Sequence, residues 1–141
     1  MRLEPAEARK RFVGSPVLRL ATVGADALPH LVPCTFALDR SGQVVIGIDS
    51  KPKSSPNLRR LRNIAENPRV TMLVDRYSDD WPELWWARAD GVATIELSGA
   101  EHGEHWRLLG ARYPQYEGQI LDGPVIAVRV TSWSGWSYAS G

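Results

Sequence analysis

Three short β-rich segments follow one another closely in the first third of the chain, and their short connections limit the possible folds. Residues 17–23, 30–38 and 43–48 are rich in apolar and β-branched side chains, which favour strands. Turn-forming residues separate them at 24–27 and 39–42. A parallel crossover needs a dozen residues or more, so connections of about four or five residues predict antiparallel pairing.

The rest of the chain continues this β-rich pattern and adds three helices. Further strands are predicted at 70–74, 85–97 and 125–130, with a kink at Gly91. Helices are predicted at 4–12, at 58–66 before Asn67-Pro68, and from Ala100 to about Arg112. The prediction is therefore a mainly β fold: a six-stranded antiparallel barrel with peripheral helices, in one domain over residues 1–141.

Composition excludes several classes of protein. The 141 residues carry a formal net charge of +1, which argues against bulk binding of nucleic acid. A run of about 18 apolar residues is absent, so no membrane span is expected. The charged segment Met1–Glu7 lacks the apolar stretch of a secretion signal, so we expect a cytoplasmic protein.

Catalytic side chains are scarce in the sequence. No Rossmann fingerprint, phosphate-binding loop or nucleophile elbow is present. His102 and His105 stand three apart in a predicted helix, and their polar neighbours favour a solvated helix face over a metal site. Cys34, the single cysteine, is expected to be an inert core residue. We therefore predict no catalytic side chain, no metal, and chemistry supplied by a bound cofactor.

A cluster of positive charge follows the third predicted strand. Between residues 51 and 65 the chain has five cations and no acid: Lys51, Lys53, Arg59, Arg60 and Arg62. Phosphate sites combine Lys or Arg with backbone N–H groups at the start of a helix, and this segment offers both. The alternative is a solvated basic helix face.

Aromatic residues gather before and within the fifth predicted strand. Tyr77 and Trp81 precede Trp85 and Trp86, and adjacent strand residues point to opposite faces of a sheet. One tryptophan can then fill the core while the other meets a ring-shaped ligand or a partner subunit. The alternative is packing alone, within the core and on the surface.

Five segments of the chain resemble a known superfamily: Leu18–Val23, Pro29–Phe36, Arg60–Val70, Asp75–Trp81 and Leu84–Gly91. They are similar to the split β-barrel flavin/deazaflavin oxidoreductases, the pyridoxamine 5′-phosphate oxidase-like superfamily. The last two segments most resemble its class of probable F420-dependent enzymes. The resemblance covers nearly the whole chain and implies the FMN-binding split-barrel type of fold.

The resemblance implies a homodimer with two cofactor sites at the subunit interface. It implies hydride transfer between coenzyme F420 and an unidentified organic substrate, with FMN as the alternative cofactor. A cofactor-binding protein without turnover is a further alternative. F420 carries a phosphodiester and a polyglutamate tail, so the five-cation stretch suits it better than it suits the single phosphate of FMN.

The resemblance also implies which residues bind the cofactor. Arg60 and Asn63 correspond to the cofactor-phosphate site, and the strand around Val32 lines the ring. Either Trp85 or Trp86 reaches the ring or the tail from the partner subunit. The full predicted set is Lys51, Lys53, Arg60, Asn63, Val32, Pro33, Trp85 and Trp86.

Overall fold

The computed structural model describes residues 1–48 and 57–139. Within them, seven strands form one antiparallel sheet in the order β2-β1-β5-β6-β7-β4-β3. The strands are β1 Leu18–Val23, β2 Pro29–Cys34, β3 Ala37–Leu38, β4 Val44–Gly47, β5 Arg69–Arg76, β6 Trp85–Glu96 and β7 Val125–Ser137. The helices are α1 Pro5–Val13, α2 Asn57–Glu66 and α3 Ala100–Arg112, and short 3-10 turns occupy Trp81–Glu83 and Pro114–Tyr116. None of the helices in these two ranges is long and apolar enough to cross a bilayer.

The mainly β, antiparallel architecture is confirmed, but the predicted number of six strands is wrong. Residues 30–38, predicted as one strand, divide into β2 and β3. Cys34 is still paired with Leu18 of β1, whereas Ala37 is paired with Val45 of β4. Between them the backbone N–H of Phe36 donates to the Tyr113 hydroxyl at 3.1 Å, so it leaves the strand ladder. The chain thus changes strand partner at Phe36.

The longest pairing in the sheet joins β6 to β7, from Trp85↔Ser137 to Glu96↔Val125. The strand predicted at 125–130 is therefore about twice as long as expected. A register shift lies between Asp90 and Gly91, which confirms the predicted kink. A Cβ atom on Gly91 would lie 2.6 Å from the carbonyl oxygen of Arg129, so this close approach of two backbones requires glycine.

Both faces of β4 are buried, which produces two packed cores. Val44 and Ile46 face the main core with Phe12, Leu20 and Met72. The next residue, Val45, faces a second core built on α3 and β7, whose members include Ala37, Trp106, Leu109, Tyr113 and Val125. Alternation along the strand assigns successive side chains to opposite faces, so β4 holds α3 against the sheet.

The prediction of a solvated face for His102 and His105 is wrong, because α3 buries both side chains. They are 8% and 3% exposed, respectively. The His102 ring shares the carbonyl oxygen of Gly123 with the indole N–H of Trp106, at 2.7 and 2.9 Å. His105 instead lies between two carboxylates from other elements. Polar side chains on this helix therefore face tertiary partners rather than solvent.

Candidate functional site

A cleft of about 170 Å³ opens where the ends of β2 and β4 meet α2 and the 3-10 turn after α3. Its lining residues come from distant parts of the chain: Pro33, Cys34, Thr35, Gly47, Ile48, Arg60 and Tyr116. Among these residues Arg60 is the one charged side chain, and none is an acid. The cleft therefore presents a positive charge beside strand ends.

Arg60 is the predicted phosphate ligand that the structure places in the cleft. It projects from α2, is partly buried, and approaches the sulfur of Cys34 with Nη1 at 3.3 Å. A guanidinium offers planar, paired N–H donors that match the oxygens of a phosphate. Its position against the end of β2 fixes a cation where an anionic group would enter the cleft.

Cys34 lies under this guanidinium as a buried thiol. Burial raises its pKa, while the charge and hydrogen bond of Arg60 act in the opposite direction. The sulfur also contacts the carbonyl oxygen of Val32 at 3.9 Å. The thiol form therefore prevails near neutral pH, which agrees with the expectation of an inert cysteine.

β2 supplies the second wall of the cleft. Among the described residues β2 lies at one end of the sheet order and is paired on one side with β1. Pro33 is exposed and lines the cleft, while Val32 packs against the main core. The free edge of a strand carries backbone N–H and C=O groups that can bind the polar rim of a planar ligand.

Asn63 lies one turn after Arg60, and its side chain is 1% exposed. Its Nδ2 donates to Thr22 Oγ1 at 3.1 Å, and its Oδ1 is buried without a hydrogen-bond partner among the described residues. A Cβ atom on Gly24 would lie 2.6 Å from that oxygen. Asn63 therefore ties α2 to the end of β1 and so fixes the helix that carries Arg60. Its phosphate contact stays a prediction.

Of the other four cations in the predicted cluster, the structure describes two, Arg59 and Arg62. Lys51 and Lys53 lie outside the described residues. Arg59 forms an ion pair with Asp26 at 3.6 Å, and Arg62 is exposed. The charges of Arg59 and Arg60 also lower the pKa of His30 in β2.

His30 is a neighbour of this cluster that sequence reasoning did not select. Burial lowers its pKa, and the charges of Arg59 and Arg60 lower it further. The ring is therefore neutral at pH 7, and its Nδ1 is buried without a partner among the described residues. In the sequence, the position of His30 directly before the predicted ring-binding segment is the signal that could have identified it.

Tyr116 closes the cleft from the side of α3. It belongs to the 3-10 turn, and its hydroxyl lies 2.9 Å from Thr35 Oγ1. Its ring makes edge contacts with Trp106 and Tyr113 at 5.7 and 6.1 Å between centroids. It lies between the helix predicted to end near Arg112 and the strand predicted at 125–130, and nothing in the sequence of that connection identified it as a cleft residue.

Trp85 and Trp86 point to opposite faces of the sheet, as predicted, and neither is among the described residues that line the cleft. Trp85 packs partly against the main core, with the Arg11 guanidinium 5.6 Å from its ring centroid. Trp86 lies beneath Arg88 at 5.4 Å. Within one chain the structure does not bring them to Arg60, and their contact with a partner's cofactor stays a prediction.

Solved structures with similar folds extend over nearly the whole chain. An FAD-binding protein from Mesorhizobium loti matches with a TM-score of 0.72 and 20% identity, covering 96% of this chain and 95% of that protein. A heme storage protein from Vibrio cholerae matches with a TM-score of 0.69 and 22% identity, covering 97% and 95%. At these identities the likeness shows the fold alone.

A curated relative and a family model match the sequence directly. A 5a,11a-dehydrotetracycline/5a,11a-dehydrooxytetracycline reductase from Streptomyces rimosus is 40% identical over 66 residues. That match covers 47% of this chain and 44% of the reductase, so it spans less than half of the relative's length. The model described as pyridoxamine 5′-phosphate oxidase matches residues 5–137. This chain therefore belongs to the pyridoxamine 5′-phosphate oxidase family.

Proposed function

We propose that this protein is an oxidoreductase that binds coenzyme F420 with its phosphate group at Arg60. It would transfer a hydride between the deazaflavin ring and a small organic substrate. The observation that carries the proposal is the cleft at the end of β2, where one guanidinium and a free strand edge meet without an acidic side chain among the described lining residues.

The residues present fit an anionic, planar cofactor. Arg60 supplies paired donors for a phosphate oxygen, and Asn63 holds its helix against β1. Lys51 and Lys53 precede that helix in the sequence and add positive charge for a longer anionic tail. The number of cations favours F420, whose tail carries several negative charges, over the single phosphate of FMN.

Binding and orientation would be the work of this chain's own residues. The deazaflavin would supply the hydride chemistry. Pro33 and the edge of β2 would face the ring, and the Cys34 thiol, kept neutral by burial, brings no competing negative charge. None of these side chains is assigned as a general acid or base.

The similarities agree with this proposal at a coarser level. The family includes flavin-binding oxidoreductases, and the curated relative from Streptomyces rimosus is named as a 5a,11a-dehydrotetracycline/5a,11a-dehydrooxytetracycline reductase. The similar fold from Mesorhizobium loti is named as FAD-binding. A flavin-type cofactor and a reductive activity are thus the common ground, and F420 is the specific choice we propose.

We further propose that the protein acts as a homodimer. Leu28, which precedes β2, and Leu31, within β2, are 57% and 67% exposed, which is a large apolar exposure on and next to the strand that supplies one wall of the cleft. A second copy that covered this edge would complete the ring site and bring its Trp85 or Trp86 toward the cofactor. Analytical ultracentrifugation tests this, and a monomer at micromolar concentration that still binds cofactor would contradict it.

Fluorescence titration with F420 tests the cofactor assignment. Arg60→Ala is expected to weaken F420 binding about tenfold or more, and to flatten the salt dependence of the affinity, because a charge-assisted contact is lost. Arg62→Ala is the matched control, since it removes the same side chain from the exposed face of the same helix. Equal affinities of the two variants would assign Arg60 to a structural role.

Turnover separates an enzyme from a carrier. Reduced F420 is mixed with candidate acceptors, including unsaturated polycyclic ketones, and its reoxidation is followed by absorbance. Protein-dependent reoxidation supports a reductase. Tight binding without reoxidation by any acceptor would favour a binding protein without turnover.

A further inference from the structure

A second cavity, of about 350 Å³, adjoins the Arg60 cleft beside the 3-10 turn that follows α3. Its lining combines Val17, before β1, and Thr35, after β2, with Tyr113, Tyr116 and two glutamines at and after the end of α3. Residues of β6 and β7 are absent from this described lining. Thr35 and Tyr116 also line the Arg60 cleft, so the two cavities meet at these residues. We call the second cavity the side pocket.

Two hydroxyl groups stand where the side pocket meets the Arg60 cleft. Thr35 Oγ1 and the Tyr116 hydroxyl oxygen lie 2.9 Å apart and form one hydrogen bond. A hydroxyl group both donates and accepts, so when Tyr116 donates to Thr35, the Thr35 O–H can donate to a ligand. The boundary between the two cavities therefore offers a hydrogen-bond donor to an acceptor oxygen in the side pocket.

Hydrogen bonds to backbone carbonyl groups hold the walls of the side pocket together. The Tyr113 hydroxyl lies 2.8 Å from the carbonyl oxygen of Pro16 and 2.7 Å from that of Phe36. Nη2 of Arg112, the residue before Tyr113, donates to the carbonyl oxygen of Ser15 at 2.6 Å. These bonds join the end of α3 to the segments that precede β1 and follow β2. The pocket is thus preformed, which reduces the entropic cost of binding.

The charge of the lining indicates which ligands suit the side pocket. None of its described lining residues is charged. Arg112 lies outside that lining, with its guanidinium 5.3 Å from the Tyr113 ring centroid, and it donates to backbone carbonyl groups. Gln119 Nε2 donates to the carbonyl oxygen of Gln115 at 3.0 Å, which holds an uncharged amide in the lining. Because burying an ion without a partner is costly, these residues favour an uncharged ligand.

We propose that the side pocket binds the organic substrate, an uncharged molecule with an apolar ring body and a carbonyl oxygen that accepts from the Thr35 hydroxyl. This inference rests on the proposed function, because it needs a reacting cofactor ring in the adjoining cleft. The volume of the side pocket is within the range of about 300–1,000 Å³ for small-molecule sites. The shared residues Thr35 and Tyr116 place the substrate next to the cofactor while the Arg60 cleft stays occupied by that cofactor.

Isothermal titration of the full chain with 2-acetylnaphthalene, an uncharged ring system with one carbonyl group, tests the side pocket. We expect saturable binding with a Kd of about 10–500 μM, as is typical of a ligand of this size. Thr35→Val removes the hydroxyl and keeps the shape of the side chain, so it should weaken binding about threefold to tenfold. Thr94→Val is the matched control, because Thr94 is exposed on β6 outside the described lining and its variant should bind like the unaltered chain.

A second probe, 2-naphthoate, defines the ligand class. It keeps the same rings but carries a carboxylate, so it should bind at least about fivefold more weakly than 2-acetylnaphthalene. Equal or tighter binding of 2-naphthoate, or no binding of 2-acetylnaphthalene, would overturn the proposal. Equal binding of 2-acetylnaphthalene by Thr35→Val and by the unaltered chain would do the same.

The relation of the side pocket to the cofactor is tested with both ligands present. F420 should not displace 2-acetylnaphthalene, and nuclear Overhauser effects should connect the protons of the two bound ligands. Displacement by F420, or the absence of such effects when both ligands are bound, would overturn the assignment of the side pocket to the substrate. Failure of F420 to bind would instead contradict the proposed cofactor, and the titrations of the unaltered chain and Thr35→Val would still decide whether the side pocket binds this class of molecule.

Discussion

Replacing His105 by phenylalanine removes the centre of a buried charge cluster. The imidazole Nδ1 lies 2.7 Å from Glu96 Oε1, and Nε2 lies 2.9 Å from Asp39 Oδ2. The side chains of His105, Asp39 and Glu96 are 4%, 11% and 14% exposed, respectively. Phenylalanine keeps a ring of similar size but leaves both acids without their shared partner.

The structure sets the size of the expected loss. Leaving a buried charge without its partner costs about 3–5 kcal/mol. Asp39 retains hydrogen bonds from Ser41 and from Gln43, which limit the damage on its side. We therefore expect the free energy of unfolding to fall by about 3 kcal/mol, which is about 10 °C in Tm for a domain of this size.

Urea denaturation at pH 7 measures this loss, with Glu104→Gln as the control. Glu104 is the adjacent acid on α3, and its ion pair with Arg107 is exposed, so its removal should leave the free energy of unfolding nearly unchanged. Adding Glu96→Gln to the His105→Phe variant should restore part of the stability, because it removes one unpaired charge. A loss below about 1 kcal/mol in His105→Phe would refute the reasoning.

The same cluster gives stability a definite dependence on pH. Burial lowers the pKa of His105, but its hydrogen bonds to Glu96 and Asp39 and their charges outweigh burial and raise it above 6.5. The stabilisation is therefore complete below pH 6.5 and is lost as the pH rises through the higher folded-state pKa. The unaltered chain should lose stability on the alkaline side of neutrality, and His105→Phe should lack that decline.

The acid side depends on Asp39. Burial raises its pKa, but hydrogen bonds from Ser41, Gln43 and His105 outweigh burial and lower the pKa from 3.8 to about 2. That difference corresponds to about 2 kcal/mol, present above pH 3.8 and lost as the pH falls toward 2. An acid titration of the unfolding free energy measures it, and a flat profile between pH 4 and 2 would contradict it.

Three further predictions concern single positions. Asn63→Ala should lower the free energy of unfolding by about 1–3 kcal/mol, whereas Arg62→Ala should leave it within about 0.5 kcal/mol, both by urea denaturation. Gly91→Ala should cost about 1–3 kcal/mol by the same assay, because the new methyl group would lie 2.6 Å from the Arg129 carbonyl oxygen. Cys34 should react with a thiol reagent at least about tenfold more slowly in the native protein than in urea, and equal rates would contradict its burial.

Much of the sheet could be predicted from local pattern, because its strands coincide with apolar and β-branched runs. The far end of the sheet could not be predicted in this way. Residues 131–137 are rich in serine, glycine and tryptophan, and they become strand through pairing with β6. The division of the predicted strand 30–38 into β2 and β3 was missed for a similar reason, since pairing with β4 is what defines β3. Strands made by their partners leave little signal in their own residues.

The candidate site shows the same division. Arg60 could be found from a local cluster of charge, and the structure places it in the cleft. Tyr116 joins that cleft from a turn 56 residues later, so no spacing in the sequence connects the two. His105 appeared polar and solvated because its two partners, Glu96 and Asp39, both lie outside α3, nine and 66 residues away. Side chains whose roles depend on distant partners need the fold to reveal them.

Parallel titration of the purified protein with F420 and with FMN tests the central claim most directly. Both ligands are followed by fluorescence at the same ionic strength, and the unaltered chain is compared with Arg60→Ala. We predict that F420 binds more tightly than FMN and that Arg60→Ala weakens F420 binding about tenfold or more. Tight binding of FMN with no binding of F420 would contradict the account.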